Sequence, residues 1–228
     1  NELIQKTAAE FLHQELGWET YYAFNNEVIG ETNSTFGRKS YKEVLLPRRL
    51  HAALTKLNPW ITADQINEVK RKLEEHLASA SPLDTNEAKY RMLLDGIKLS
   101  YTDANGVQQE NVARLIDFSD ALANDFLVVQ EFKVQGATYM RRTDLVGFVN
   151  GIPLLFIELK KHTVDIFNAY IDNYRDYQET IPQIFYYNAF VMFSNGFDAK
   201  IGTLGSKYEF FHEWKRLTEE EEGRVALE

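Results

Sequence analysis

Two acidic residues and a lysine in residues 141–161, RRTDLVGFVNGIPLLFIELKK, have types and positions that could do chemistry. Asp144 lies on the first of two apolar segments, and Glu158 and Lys160 end the second. Because the side chains of a strand alternate between its faces, Glu158 and Lys160 share a face and Leu159 points to the other. The two carboxylates, with the Leu159 carbonyl, are oxygen ligands of the kind that Mg²⁺ prefers, and the lysine can neutralise charge on a phosphate. The pattern therefore indicates metal-assisted hydrolysis of a phosphodiester.

An acidic residue two positions before a lysine is weak evidence alone, because it occurs six times in this sequence. The serious competitor is Glu131 with Lys133, since Asp117 lies fourteen residues upstream of Glu131, the same separation as that of Asp144 from Glu158. The chain between Asp117 and Glu131 is interrupted by the polar stretch SDALAND. We therefore expect that Asp144 lies beside Glu158 and Lys160, and that Asp117 does not lie beside Glu131 and Lys133.

The Asn150-Gly151 pair between the two apolar segments predicts a β-hairpin, because both residues adopt a positive φ at little cost. The residues before Glu158, LLFI, are apolar on both faces, which is typical of a central strand. An acid and a lysine at the end of such a strand are costly to bury unless they are paired or bind a metal. A structural salt bridge and a metal site both remain open at this point.

A strict two-residue turn would separate the two acids. It pairs Val149 with Ile152 and Asp144 with Ile157, so that Asp144 and Glu158 project to opposite faces of the sheet. We therefore predict that the turn gains or loses a residue, through a glycine bulge or a three-residue loop.

The rest of the chain must supply a sheet and the helices that cover it. Hydrophobic periodicity predicts helices over 1–16, 48–57, 62–80, 84–96 and 162–181. It predicts strands over 18–24, 97–101, 107–116, 126–134, 187–194 and 200–204, with a turn at 103–106. This order predicts an α/β (α+β) fold, a mixed central β-sheet flanked by helices, with an inserted helical segment at 47–96 and a core over about 97–204.

The composition bounds the class of protein. Hydrophobic residues make up 44% of the 228 residues, enough for a packed single domain over 1–228, and there is no cysteine. No apolar run approaches the roughly 18 residues of a membrane span, so we expect a cytoplasmic protein without a membrane partner. The start at Asn1 and the acidic run at 219–222 suggest a fragment of a longer protein. The net charge of −9 is the wrong sign for tight DNA binding, so either nucleic acid is not the substrate or another part of the protein supplies the grip.

Several segments spread over residues 44–196 match one known family: LLPRRLHAAL, LNPW, LIDFSDALANDFLVVQEFKV, RRTDLVGFVNGIPLLFIELKK and IPQIFYYNAFVMFSNG. In them the chain resembles the N-terminal nuclease domain of the R (HsdR) subunit of type I restriction-modification enzymes, a branch of the PD-(D/E)xK nucleases. The resemblance implies Asp144, Glu158 and Lys160 as catalytic residues, Mg²⁺ as cofactor and double-stranded DNA as substrate.

The resemblance also implies that the methylation (M) and specificity (S) subunits of a bacterial or archaeal type I complex are partners and choose the DNA site. Helicase-like motor domains follow in such a subunit, so ATP and S-adenosylmethionine would act only through domains or subunits outside these residues. The sequence agrees, because it has no GxxxxGK[ST] phosphate-binding loop.

The chain departs from the family at one motif. The family often carries Gln-x-x-x-Tyr after the lysine, and here Asn173 replaces the glutamine while Tyr177 is kept. The two residues could contact DNA or simply pack their helix on the sheet. Arg141, Arg142 and Lys161 flank the proposed site and are candidates for local phosphate contacts.

Two other functions fit the same residues. A stand-alone nuclease or resolvase of the same fold would need a larger basic surface than the acidic balance suggests. A non-catalytic module that docks DNA or another subunit would not need the intact Asp144, Glu158 and Lys160.

Overall fold

The computed structural model describes residues 2–76, 80–102 and 105–214. Part of the predicted turn at 103–106 and the acidic run at 219–222 lie outside the described residues. The α-helices within them are α1 (Glu2–Leu16), α2 (Pro47–Leu57), α3 (Ala63–Glu74), α4 (Pro82–Asp95) and α5 (Arg175–Thr180). The strands are β1 (Glu19–Tyr22), β2 (Ile97–Thr102), β3 (Gln108–Ala113), β4 (Phe126–Gln130), β5 (Lys133–Gln135), β6 (Met140–Arg142), β7 (Leu145–Val149), β8 (Ile152–Leu159), β9 (Phe190–Ser194), β10 (Ala199–Gly202) and β11 (His212–Glu213).

Seven strands form one mixed sheet in the order β1-β4-β7-β8-β9-β10-β11, which confirms the predicted mixed central sheet. β1 runs parallel to β4 and β8 runs parallel to β9, while the other neighbours are antiparallel. β8 has three strands on each side, as its apolar residues predict. Within the described residues, β2 and β3 form a separate two-stranded sheet, and β5 and β6 form another.

Helices cover both faces of this sheet. α1 lies on one face, where Ala9 packs with buried residues of the sheet: Val128, Leu145, Ile157 and Leu159. The other face carries the larger core, in which residues of β7 and β8 such as Val146 and Phe156 pack with α2, α3 and the segment around α5. Strand alternation therefore assigns Val146 and Phe156 to the face opposite α1.

The β7–β8 hairpin has a two-residue turn, whereas the sequence predicted a turn that gains or loses a residue. Val149 pairs with Ile152 across it, and Asn150 and Gly151 have φ of 54° and 77°. The turn is held against α2, because the Gly151 carbonyl accepts a hydrogen bond from the Leu46 N–H at 2.9 Å. The prediction of a longer or shorter turn is therefore wrong.

The register nevertheless shifts, and it does so within the strands. Phe148 pairs with Pro153, but Gly147 pairs with Leu155, which leaves Leu154 as one extra residue in β8. Proline has no N–H to donate to a ladder, and strands commonly carry it at bulges. The Leu154 carbonyl instead accepts a hydrogen bond from the N–H of Ala189, just before β9, at 2.8 Å.

The third and fourth helices differ from prediction at their shared boundary. α3 begins as predicted after Thr62, which forms a capping box with Gln65, but it ends at Glu74. Ser81 and Pro82, which directly follow the predicted end of that helix at residue 80, begin α4. Ser81 forms a second capping box with Asp84 and proline occupies the first helical turn, where its missing N–H costs nothing.

Two predicted elements near the candidate site are interrupted. The strand predicted over 126–134 breaks at Glu131, which has a φ of 58° and separates β4 from β5. The helix predicted from 162 has turns at its start, and a π-helical segment, Ala169–Tyr174, leads directly into α5. Among the described residues, no helix is long and apolar enough to cross a membrane.

Candidate active site

The structure places Asp144 and Glu158 side by side. Leu145 pairs with Ile157 across β7 and β8, so the next position outward sets Asp144 opposite Glu158. Residues directly opposite on antiparallel strands project to the same face of the sheet. The extra residue in β8 is what brings the two acids together, because the register at the turn itself would separate them.

Asp144 is held by hydrogen bonds to both of its carboxylate oxygens. The Leu159 N–H donates to Oδ2 at 2.7 Å, and Nε2 of Gln5 on α1 donates to Oδ1 at 2.5 Å. Burial raises the pKa of the Asp144 carboxyl above its ordinary value, although these donors and the nearby Lys160 act in the other direction. The hydrogen bonds fix the orientation of a carboxylate that burial alone would disfavour.

Glu158 is the more strongly perturbed acid. It is only 2% exposed, and no hydrogen-bond donor within the described residues reaches its Oε2 atom. Burial, with the negative charge of Asp144 as the next cause, raises the pKa of the Glu158 carboxyl well above its ordinary value, and Lys160 opposes the shift. A buried carboxylate oxygen without a donor is suited to a cation.

Lys160 is positioned by a chain of hydrogen bonds that starts on the following helix. Its backbone N–H donates to the Ser194 carbonyl at 2.8 Å, and its Nζ donates to Oδ1 of Asn173. The Asn173 amide in turn donates to the Tyr177 hydroxyl at 3.4 Å. The Tyr177 hydroxyl donates to the Arg142 carbonyl at 3.2 Å, just before Asp144. Both residues of the altered motif therefore contact the candidate site.

The π-helical segment explains how the helix reaches Lys160. Asn173 lies within it, and its hydrogen bonds span five residues, as between the Arg175 N–H and the Tyr170 carbonyl. Such segments are rare and occur frequently at functional sites. Tyr177, on α5, also packs edge to face on Phe156 of β8, so packing and polar contacts coexist at this residue.

The three candidate phosphate contacts differ in how free their charges are. Arg141 makes two hydrogen bonds to the carboxylate of Asp176, at 2.6 and 2.9 Å, and this ion pair lowers the pKa of Asp176. Arg142 forms an ion pair with Glu131. Lys161 is exposed and has no ion pair with any residue that the structure describes. Of these three residues, Lys161 is therefore the one whose positive charge is exposed to solvent without a paired carboxylate among the described residues.

Sequence reasoning missed two contributors to the site. Gln5 lies on α1, 139 positions from its partner Asp144, and no local pattern marks it. Glu131 was treated only as part of a competing pair, whereas its N–H donates to the Asp144 carbonyl at 2.9 Å. The supposed partner Asp117 accepts local hydrogen bonds before the start of β4, at the other end of that strand. The apolar strand ending in Glu131 was the signal that could have identified it.

The residues present fit a divalent cation of the magnesium type. The donor set is Asp144, Glu158 and the Leu159 backbone, which are the hard oxygen donors that Mg²⁺ prefers. The half-buried carboxylate of Asp144 and the buried one of Glu158 lie opposite each other and repel unless a cation lies between them, and the Glu158 Oε2 atom lacks a donor in the described part of the chain. No group of three or more His, Cys, Asp or Glu residues there is arranged to hold one ion.

The mixed sheet, with acids and a lysine at the ends of neighbouring central strands, is consistent with an α/β nuclease-like fold. The chain belongs to the family described as the type I restriction enzyme R protein N terminus, whose sequence profile matches residues 1–210. This membership confirms the resemblance inferred from the sequence.

Individual relatives agree with the family. The HindI endonuclease subunit of a type I restriction enzyme from Haemophilus influenzae is 30% identical in an alignment 227 residues long, which covers 96% of this chain and 20% of that protein. A relative in Methanocaldococcus jannaschii, MjaIXP, is 30% identical over 215 residues, 90% of this chain and 20% of its own length. The EcoprrI endonuclease subunit of Escherichia coli is 35% identical over 89 residues, 38% of this chain and 28% of that protein. The chain spans about a fifth of the length of the first two relatives.

Proposed function

We propose that this chain is the Mg²⁺-dependent endonuclease domain of a type I restriction enzyme R subunit, which hydrolyses phosphodiester bonds of double-stranded DNA without recognising a sequence itself. The observation that carries the proposal is the position of Asp144 directly opposite Glu158, beside Lys160, in a chain of this family. The names of the relatives, which are endonuclease subunits, support the same activity.

The chemistry divides among these residues. Asp144 and Glu158, with the Leu159 carbonyl, hold Mg²⁺, which when bound polarises the phosphate and lowers the pKa of water. Lys160 neutralises negative charge that develops on the phosphate in the transition state. Asn173 orients the Lys160 ammonium group, because its side-chain oxygen accepts a hydrogen bond from Nζ. The buried position of Glu158 excludes bulk water from the carboxylate that binds the ion.

Contacts to the DNA backbone belong to the same proposal. Lys161 is available for a phosphate, while Arg141 and Arg142 must exchange their carboxylate partners for one. The net charge of −9 requires that other parts of a larger protein or complex hold most of the DNA.

The larger assembly is also proposed. Because the chain spans about a fifth of its relatives, ATP-driven motor domains and contacts with methylation and specificity subunits would lie elsewhere in a cytoplasmic complex. Residues 1–228 are proposed as one nuclease domain, with the helical segment 47–96 packed against the core over about 97–204.

The proposal is tested with Asp144→Asn and Lys160→Ala in the complete R subunit, assembled with its methylation and specificity subunits. DNA cleavage and DNA-stimulated ATP hydrolysis are measured on the same preparations. We expect cleavage to fall by at least about a hundredfold and ATP hydrolysis to be unchanged, because the site contributes to the chemical step alone. Asp117→Asn, an acid outside the site, is the control and should cut DNA at the wild-type rate.

Four results would contradict this assignment. Unchanged cleavage in both variants would show that these residues do not form the active site. Loss of both cleavage and ATP hydrolysis would show that these residues are needed for the folded structure. Cleavage by the isolated chain without ATP would instead favour a stand-alone nuclease. A wild-type complex that translocates DNA without cutting it would favour a docking module.

A further inference from the structure

Glu131 lies in the same row of side chains as the two proposed metal ligands. Gln130 pairs with Leu145 across β4 and β7, so the next position sets Glu131 opposite Asp144. The hydrogen bond from the Glu131 N–H to the Asp144 carbonyl, 2.9 Å long, continues that pairing. Asp144 is itself opposite Glu158 on the other side. Three carboxylates therefore follow one another across three neighbouring strands of the sheet.

This row is unfavourable for the fold on its own. Like charges directly opposite each other destabilise a sheet, and Glu131 and Glu158 are only 9% and 2% exposed. Glu131 also has a φ of 58°, a left-handed conformation that residues with a side chain rarely adopt. Such strain persists where the surrounding structure enforces it and is concentrated at functional sites.

The positive charges nearby do not balance the row. Arg142 pairs with Glu131, and Lys160 opposes the charges of Asp144 and Glu158. Three carboxylates against two cations leave one negative charge. The Glu158 Oε2 atom, buried and without a donor in the residues described, is an acceptor suited to a cation.

We propose that Glu131 is a positioning residue of the metal centre, accepting hydrogen bonds from the water that surrounds a divalent cation held by Asp144 and Glu158. Mg²⁺ in proteins keeps several of its waters, and these need acceptors. An indirect role fits Glu131, because the described residues contain no three-acid group arranged around a single ion. Arg142 competes with the cation for the Glu131 carboxylate and so weakens cation binding. This inference rests on the proposed function and extends it by one residue.

Calorimetric titration of the 228-residue chain with MgCl₂ and with MnCl₂ tests the inference without any DNA. Glu131→Gln should weaken the affinity for the cation by about tenfold, the lower end of the effect of outer-shell partners. Arg142→Gln should strengthen it severalfold, because the carboxylate loses its competing partner. A structural ion pair would not give changes of opposite sign.

Asp125→Asn is the matched control. Asp125 lies just before β4, at the opposite end of the strand from Glu131, and it also pairs with an arginine, Arg49, at 2.7 Å. Its substitution removes the same charge and should leave the affinity for the cation unchanged. An equal loss of affinity in Asp125→Asn and Glu131→Gln would show a general charge effect and overturn the inference.

The remaining outcomes are also decisive. Unchanged affinity in Glu131→Gln overturns the inference while the nuclease proposal stands. If Glu131→Gln does not fold, as judged by thermal unfolding, Arg142→Gln decides, and unchanged or weaker affinity there overturns the inference. Glu158→Gln distinguishes failure of this inference from failure of the proposed metal site. If this variant binds the cation as tightly as the wild type does, the metal site itself is refuted.

Discussion

Asp144 lies directly opposite Glu158 although the Asn150-Gly151 turn between their strands is the two-residue type that would set them on opposite faces. The reconciling feature is Leu154, the extra residue in β8. The geometry of the candidate site therefore depends on a bulge near the turn end of the hairpin as well as on the identity of the acids. Substitutions in the turn, in the acids and in the residues that contact the acids can test each contribution separately.

The turn itself should tolerate no side chain at Gly151. A Cβ there would lie 2.7 Å from the Leu46 carbonyl oxygen, and the φ of 77° is unfavourable for alanine. We expect Gly151→Ala to lower the free energy of unfolding by at least about 3 kcal/mol, measured by urea denaturation. Gly106→Ala is the control, because Gly106 has a φ of 81° and a Cβ there would have no contact within 4 Å among the described residues, and it should cost about 1 kcal/mol. Equal losses would show that contact with α2 is unimportant.

Glu158→Gln should stabilise the metal-free protein at alkaline pH. The pKa of Glu158 is raised in the folded state above its ordinary value of 4.5, so the folded state holds the proton more tightly than the unfolded state does. The wild-type protein therefore loses stability as pH rises through the folded pKa, and glutamine, which mimics the protonated acid, does not.

Thermal unfolding in EDTA at several pH values measures this effect. The melting temperature of Glu158→Gln should exceed that of the wild type at pH 8, and the two should converge towards pH 4.5, the ordinary value. Added Mg²⁺ should stabilise the wild type alone. A variant less stable than the wild type at pH 8 without metal would contradict the burial argument.

Asn173→Ala should slow DNA cleavage in the complete complex. Its side chain accepts the hydrogen bond from Lys160, and such a bond to a charged group contributes about 1.5–3 kcal/mol, equivalent to roughly ten- to hundredfold in rate. Asn173→Gln, which keeps the amide, should retain part of the activity. Asn168→Ala, at an exposed asparagine just before the π-helical segment, should change nothing. A fall in melting temperature that matched the fall in rate would indicate a packing role.

Asp176→Asn should increase affinity for double-stranded DNA. The Asp176 carboxylate holds Arg141 in a partly exposed ion pair, and removing it frees the guanidinium for a phosphate. The expected gain is up to about fivefold, since exposed pairs contribute at most roughly 1 kcal/mol. Fluorescence anisotropy at several salt concentrations measures the affinity, and Arg141→Gln should lower it and reduce the salt dependence. If both variants bind DNA with the wild-type affinity, Arg141 does not contact DNA.

The central sheet, the hairpin and the acid and lysine pair could be predicted because their signals are local. The turn is predicted by Asn150-Gly151, two residues that tolerate a positive φ. The central strand is predicted by LLFI before Glu158, which is apolar on both faces. The boundary at Ser81 was misassigned because a proline after a serine is compatible with the end of one helix or the start of the next. The capping box with Asp84 decides between them.

The bulge and the outer residues of the site could not be predicted because distant partners determine them. The Leu154 carbonyl is paired outside the hairpin, with Ala189, and Gln5 contacts Asp144 from a helix 139 positions earlier in the chain. Glu131 ends its strand in a left-handed conformation that period-two alternation does not show. Each depends on how separate elements pack, which a single sequence read locally does not contain.

The contact of Gln5 with Asp144 also bears on the order of folding. The two residues are 139 positions apart, so the contact closes a long loop. During synthesis α1 is made before the strands on which it packs. The carboxylate of Asp144 acquires its full set of donors only when α1 docks on the completed β4, β7 and β8. Asp144 therefore gains its Gln5 donor only through a long-range contact, and contacts of this kind are slow to form.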